Sequence, residues 1–124
     1  MTDGPPPMDG HGMLDKTLYV IHTSPAAGTT PDQLGAVLPA HLEHQVKIER
    51  DGSLFAAGPM QTEDGDRRGL IIIRAASFAE AKKIADSDPF HAQGLREYTL
   101  ERWSMNEGGF QVRINYSDQT MSIE

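Results

Sequence analysis

The sequence predicts an α+β fold in which elements in the order β-α-β-β-α-β build a four-stranded antiparallel sheet. Two strand signals are clear: residues 16–24 (KTLYVIHTS) alternate with a period of two, and residues 69–75 (GLIIIRA) form an apolar run of strand length. The clearest helix covers residues 77–88 (SFAEAKKIADSD), which are rich in alanine and lysine and open with the Ser77/Glu80 pattern of a capping box. Together with the weaker elements, these segments predict a ferredoxin-like arrangement.

A first helix is predicted between the first two strands, ending near Arg50. Thr30 suits the N-cap, a proline occupies the first helical position, and Gln33 can complete a capping box. Pro39 interrupts the pattern, because its ring clashes with the carbonyl group four residues earlier. We therefore expect a short turn followed by a more regular helix over residues 39–49.

Two shorter strands complete the predicted sheet. Residues 54–57 (LFAA) form one strand, closed by the Gly-Pro pair that follows, and residues 97–103 (EYTLERW) form the last one. Beyond them, residues 110–116 (FQVRINY) and 120–124 (TMSIE) can pair as a terminal hairpin. We thus divide the chain into a leader (1–12), a ferredoxin-like domain (13–104) and a C-terminal extension (105–124).

Composition excludes several classes of function. The chain has 124 residues and a formal net charge of -7, with its lysines and arginines scattered, so nucleic acid is not an expected partner. The absence of cysteine excludes disulfides and thiol chemistry. The proline-rich leader is expected to be disordered, and neither a secretory signal nor an apolar run of membrane-spanning length is present. We expect a soluble, cytoplasmic protein without a membrane partner.

The predicted sheet has one face without helices. Both helices of a β-α-β-β-α-β unit pack on the same face, whereas the run 69–75 supplies apolar side chains to both faces. A second copy of the chain is the simplest cover for the other face. We therefore expect a homodimer, with a higher oligomer as the alternative.

His41 and Asp88 are the candidate catalytic residues. On a helical wheel, His41 falls near the centre of the apolar stripe of the first helix, and Asp88 falls near that of the second. Pro89 pushes Asp88 out of the helical region, which fixes its carboxylate on a turn. An imidazole next to a carboxylate can act as a general base, although an inward histidine can also be an ordinary core residue.

Other residues near these two leave alternatives open. His41 and His44 lie one helical turn apart, as do Asp88 and His91, so a metal site is possible, but the spacing is weak evidence and we expect no metal. The phosphate-binding glycine motifs are absent, and we expect no cofactor. Trp103 is expected to lie in the core.

Three stretches resemble the YCII-related (YciI-like) family across about residues 17–103. They are HLEHQVKIERDGSLFAAGPM (41–60), GLIIIRAASFAEAKKIADSDPFHAQGL (69–95) and YTLERW (98–103). The resemblance implies a dimeric α+β barrel, in which the sheets of two subunits face each other. It also implies a pocket holding a histidine and an aspartate, which correspond to His41 and Asp88 here.

The resemblance also suggests a class of reaction. Related barrel proteins include a dehydrochlorinase of chlorinated hydroxyquinols and the muconolactone isomerases, so by analogy we expect a cofactor-independent lyase or isomerase acting on a small cyclic or aromatic metabolite. A non-catalytic module that binds a small molecule or serves assembly is the alternative. Five residues are expected to contact the small-molecule ligand: Gly58, Pro59, Met60, Phe90 and His22.

Overall fold

The computed structural model describes residues 14–123, which form two compact units. The larger unit is residues 17–104, and the described part of the smaller one is residues 14–16 and 105–123. The predicted leader lies outside the described residues, and the division into 13–104 and 105–124 as domains stays a prediction. The elements are β1 Lys16–Pro25, α1 Pro31–Arg50, β2 Leu54–Gln61, β3 Arg67–Ile73, α2 Phe78–Ser87, α3 Pro89–Ala92, β4 Arg96–Met105, β5 Val112–Asn115 and β6 Thr120–Ile123.

The first four strands form one antiparallel sheet in the order β2-β3-β1-β4. β3 pairs with both β1 and β2, so the most apolar strand of the chain is a central one. This placement follows from the sequence, because an interior strand needs apolar side chains on two faces. The predicted ferredoxin-like α+β fold is confirmed.

The core lies between the helices and one face of the sheet. Tyr19 and Ile21 of β1 stand opposite Ile73 and Ile71 of β3, and all four are buried on this face. The helices contribute Ile48, Ala81 and Ala85 to this core. Five partly buried residues pack against it: Leu54, Ala75, Ile84, Tyr98 and Leu100. We call this side of the sheet the helix face.

The alternate residues of the same strands point to the opposite side, which we call the open face. Val20 is paired with Ile72, and His22 with Leu70. Val20, Leu70 and Ile72 are only partly buried in the single chain. β3 therefore does present apolar side chains on both sides of the sheet, as its sequence indicates.

The prediction that Pro39 interrupts the first helix is wrong. α1 runs without a break over 20 residues, with the predicted capping box at Thr30 and Gln33. Pro39 removes one backbone donor, but packing of the long helix on the sheet outweighs the loss of one bond. Helical periodicity predicts that Leu38 belongs to the apolar stripe of α1, but Leu38 is 44% exposed.

β2 is longer than predicted. It continues through Gly58 and Pro59 to Gln61, and Pro59 stands opposite Gly69 of β3. β2 is an edge strand of the sheet, where the missing amide donor of proline can face away from the ladder. A proline therefore did not end the strand.

The second helix ends as its sequence predicts. The Ser77 hydroxyl caps α2 by accepting from the Glu80 amide, although the Glu80 carboxylate accepts from Ala76 rather than closing the box on Ser77. Asp88 has extended backbone angles (φ -62°, ψ 126°) and separates α2 from the single turn of α3. The residue before Pro89 is thus held out of the helix, as expected.

The smaller unit contains the predicted terminal hairpin. β5 and β6 pair in an antiparallel manner, with Val112 opposite Ile123 and Ile114 opposite Met121. Because directly opposed residues share a face, these four apolar side chains lie on one side of the hairpin.

Candidate functional site

Asp88 provides the carboxylate of the site from the turn between α2 and α3. Its side chain is 4% exposed, and its Oδ1 accepts a hydrogen bond of 2.9 Å from the amide of Phe90. The capping bond fixes the carboxylate in orientation, because the backbone of Asp88 is itself restricted by Pro89. Both oxygens of the Asp88 carboxylate also face α1.

His41 of α1 meets this carboxylate with its Nδ1. The distances from His41 Nδ1 are 2.9 Å to Oδ2 of Asp88 and 3.0 Å to Oδ1. The His41 side chain is 17% exposed, so the contact is largely shielded from solvent. Within residues 14–123 no hydrogen bond is made by the other ring nitrogen, Nε2.

The charge on Asp88 decides which nitrogen of His41 carries the proton. Burial alone would raise the pKa of the Asp88 carboxyl, but hydrogen bonds from His41 and the Phe90 amide outweigh burial, and the pKa lies below its ordinary value. Asp88 is therefore ionised at neutral pH and can only accept hydrogen bonds. Nδ1 of His41 must be the donor, which leaves Nε2 of the neutral ring with a lone pair.

An aromatic ring and a cation complete the surroundings of His41. The Phe90 ring lies 4.6 Å from the imidazole, centroid to centroid, at an interplanar angle of 35°. On the same ring, the guanidinium carbon of Arg96 lies 5.9 Å from the centroid. Arg96 Nε donates to the Thr23 hydroxyl (3.0 Å), and Nη2 donates to the Thr23 carbonyl (3.1 Å).

His91 is held by two hydrogen bonds and is a poor candidate for the base. Its Nδ1 donates to the Ala85 carbonyl at 2.7 Å, so its Nε2 accepts from the Thr23 hydroxyl at 2.9 Å. That assignment is consistent with Arg96, since a hydroxyl can accept from the guanidinium while it donates to the imidazole. Both nitrogens of His91 are thus engaged in structure.

His44 lies one turn after His41 and is partly buried. Burial lowers the pKa of His44, and the carboxylate of Asp88 only partly opposes this effect. Beside it is a small cavity of about 10 Å³, lined in part by His44, Gln45 and Asp88. The Oε1 atom of Gln45 is buried and has no hydrogen-bond partner among the residues that the structure describes.

The residues expected to bind ligand do not all share one face in the single chain. Phe90 lies beside His41, as described above. His22 and Met60 instead line a cavity of about 190 Å³ with Arg68 and Glu97 on the open face. Nε2 of His22 is 3.2 Å from Oε1 of Glu101 on that side.

The strand register shows on which face of the sheet the other two ligand-binding candidates lie. Gly58 stands opposite Leu70 and belongs to the open face, whereas Pro59 stands opposite Gly69 and belongs to the helix face. The ligand-binding role of all five residues stays a prediction. Trp103, which was expected in the core, is 39% exposed.

Sequence reasoning missed Arg96 and Thr23. The signal was present: in a strand that continues back from Leu100 through Tyr98, the period of two places Arg96 on the buried face. An arginine on that face needs partners, and Thr23, two residues after Ile21 on β1, falls on the same side. The predicted strand began at residue 97 and so left Arg96 out.

Gly69 makes room for this network, which leads to a testable prediction. A Cβ at Gly69 would lie 2.7 Å from Cγ2 of Thr23, whose hydroxyl is fixed by His91 and Arg96. We expect Gly69→Ala to lower the free energy of unfolding by about 1–3 kcal/mol, measured by urea denaturation.

Gly58→Ala is the matched control, because Gly58 is also a strand glycine and a Cβ there meets nothing within 4 Å. It should be neutral or slightly stabilising. Equal stabilities of the two variants would contradict the packing role of Gly69.

Two further findings bear on ligands and membranes. Among residues 14–123, no three histidine, aspartate or glutamate side chains are grouped so that they could hold a metal ion. Within the same range, no helix has both the length and the apolar character needed to cross a bilayer.

The fold and the site define the class of protein: a ferredoxin-like α+β protein whose helical layer holds a hydrogen-bonded His-Asp pair. The chain belongs to the YCII-related family, whose domain model matches residues 17–104. Protein YciI of Escherichia coli is 33% identical over 88 residues, which are 65% of this chain and 89% of the relative. The uncharacterised protein YjpA of Bacillus subtilis is 30% identical over 67 residues, which are 54% of this chain and 75% of YjpA.

A solved structure shares the fold. 5-Chloro-2-hydroxyhydroquinone dehydrochlorinase (TftG) from Burkholderia phenoliruptrix, in complex with 2,5-dihydroxybenzoquinone, superposes with a TM-score of 0.59. It is 21% identical and covers 70% of this chain and 93% of its own. At that identity the likeness establishes the common fold.

Proposed function

We propose that this protein is a cofactor-independent lyase or isomerase that moves a proton on a small cyclic or aromatic metabolite. The observation that carries the proposal is the His41–Asp88 pair, with Nδ1 bound to a buried carboxylate and Nε2 without a partner among residues 14–123. Nε2 of His41 is the base, and Asp88 is the residue that orients it and stabilises the imidazolium once the proton has been taken. No metal or cofactor takes part in this scheme.

The structural neighbour supports the reaction class. TftG is named a dehydrochlorinase, and its bound molecule is a small dihydroxybenzoquinone. Removal of hydrogen chloride from a carbon skeleton requires a group that accepts a proton, which a histidine paired with a carboxylate can do. The analogy concerns the type of chemistry, since one fold can carry many functions.

Proton exchange is the direct test. The purified chain is incubated in deuterium oxide with a set of cyclic ketones, lactones and hydroxyquinones, and deuterium uptake is followed by mass spectrometry. We expect uptake, above the rate in buffer, at a carbon next to a carbonyl group of at least one compound. Binding of a compound without any exchange would contradict the proposal.

One observation favours a second candidate, a non-catalytic module that binds a small molecule. The cavity that includes Asp88, His44 and Gln45 measures only about 10 Å³, enough for about one water molecule. In that case the His41–Asp88 contact serves stability alone. The exchange experiment separates the two candidates, because only the first predicts isotope uptake.

We also propose that the protein is a cytoplasmic homodimer in which the open faces of two sheets meet. Val20, Leu70 and Ile72 remain partly exposed on that face, and association would bury them. We expect sedimentation equilibrium at micromolar concentration to give twice the chain mass of 13.6 kDa. A well-behaved monomer would refute the dimer.

A further inference from the structure

Arg96 is a cation in a partly buried position close to the candidate base. Its guanidinium packs over the ring of Phe90, and the imidazole of His41 packs against the same ring. Arg96 lies at the start of β4, and Asp88 is the charged group whose field reaches it.

The hydrogen bonds of Arg96 leave one side of the guanidinium available. Nε and Nη2 donate to the hydroxyl and carbonyl of Thr23, which fixes the plane of the group. Nη1 makes no hydrogen bond within residues 14–123, and no carboxylate of that range lies within 4.0 Å of Arg96. Asp88 is occupied by His41 and the Phe90 amide.

Arg96 has no carboxylate partner at hydrogen-bonding distance within residues 14–123. Partial burial disfavours the charged guanidinium and lowers the pKa of Arg96, while the carboxylate of Asp88 opposes this effect. Thr23 supplies hydrogen bonds but no countercharge. Arginine pairs well with carboxylates and similar oxyanions, because its donors lie in a planar fork.

We propose that Arg96 binds the negative charge of the substrate, so that the site takes anions such as carboxylates and phenolates. The inference rests on the proposed function, because it places this anion next to His41. When Nε2 of His41 takes a proton from the substrate, the electron pair of the broken bond stays on the substrate. Arg96 then also stabilises the second negative charge that develops there.

Two small aromatic probes test the charge preference without any need for the true substrate. Benzoate and benzamide have nearly the same shape and differ in charge. Each is titrated into the full chain at pH 8 and followed by NMR shifts of the backbone amides. We expect benzoate to bind at least about 10-fold more tightly than benzamide, a difference of about 1.4 kcal/mol.

Three arginine variants locate the source of the preference. Arg96→Met should reduce the benzoate preference to within about 2-fold, and Arg96→Lys should keep part of it, since lysine retains the charge without the fork. Arg74→Met is the matched control: Arg74 also packs over a ring, that of Phe55 at 5.1 Å, and donates to backbone carbonyls. It should leave the preference unchanged.

Other outcomes overturn the inference. If Arg96→Met weakens benzoate and benzamide equally, Arg96 has only a structural role. If the wild type binds no benzoate at about 10 mM, the site does not take anions. If His41→Gln abolishes the preference, the anion is bound by protonated His41 instead of Arg96. None of these results concerns proton exchange, so the base role of His41 is judged separately by the deuterium experiment.

Discussion

His41→Ala is expected to lower the rate of deuterium exchange into a responsive substrate at least about 100-fold. The reason is that Nε2 of His41 is the proposed proton acceptor, and its partner nitrogen is bound to Asp88 at 2.9 Å. Alanine removes the acceptor, whereas the hydrogen bond from the Phe90 amide to Asp88 does not involve the His41 side chain. The rate is measured by mass spectrometry at several substrate concentrations, so that kcat and KM are obtained separately.

Glu43→Ala is the control for this experiment. Glu43 lies on α1 two residues after His41, is exposed, and is not part of the candidate site. It should retain exchange within about 3-fold. If His41→Ala keeps the wild-type rate, His41 is not the base, and His44 becomes the next candidate.

The second large effect concerns stability. Asp88→Ala leaves the Nδ1 donor of His41 without its acceptor, and His41→Ala leaves a carboxylate that is 4% exposed without its strongest donor. Each change should lower the free energy of unfolding by about 1–3 kcal/mol, and the double variant should lose less than the sum. Strict additivity in a urea double-mutant cycle would mean that the two side chains do not interact in solution.

The contribution of Asp88 also has a predictable pH dependence. Its folded-state pKa is below the unfolded value of about 3.9, so the unfolded state binds the proton first as pH falls. The stability from the ionised group is therefore present above about pH 4 and is lost as pH falls through the folded-state pKa. The difference between wild type and Asp88→Asn should shrink over that acidic range.

Much of the fold could be predicted from local patterns. The strands β1 and β3, the capping pair Thr30 and Gln33, and the break at Asp88 each depend on a few neighbouring residues. Such features are strongly determined by periodicity and backbone chemistry. The same is true of the sheet order, because few topologies are compatible with this sequence of elements.

The mistakes came where tertiary packing overrides local preference. A proline inside α1 and a Gly-Pro pair inside β2 both look like breaks in the sequence. However, α1 is long enough to remain a helix without one backbone hydrogen bond, and β2 is an edge strand, which tolerates proline. Helical periodicity indicated that His41 and Asp88 point inward. The distance between these two side chains, and the position of Arg96 against the ring of Phe90, depend on contacts between segments distant in sequence.

The proposed chemistry requires that Asp88 present an unprotonated Nε2 of His41 to the substrate. Long-range proton–nitrogen NMR of the imidazole in uniformly ¹⁵N-labelled protein, recorded at pH 8 without substrate, tests it most directly. We expect that Nδ1 of His41 resonates as a protonated nitrogen and Nε2 as an unprotonated one, and that Asp88→Asn weakens this preference. A protonated Nε2 together with a bare Nδ1 in the wild type would contradict it.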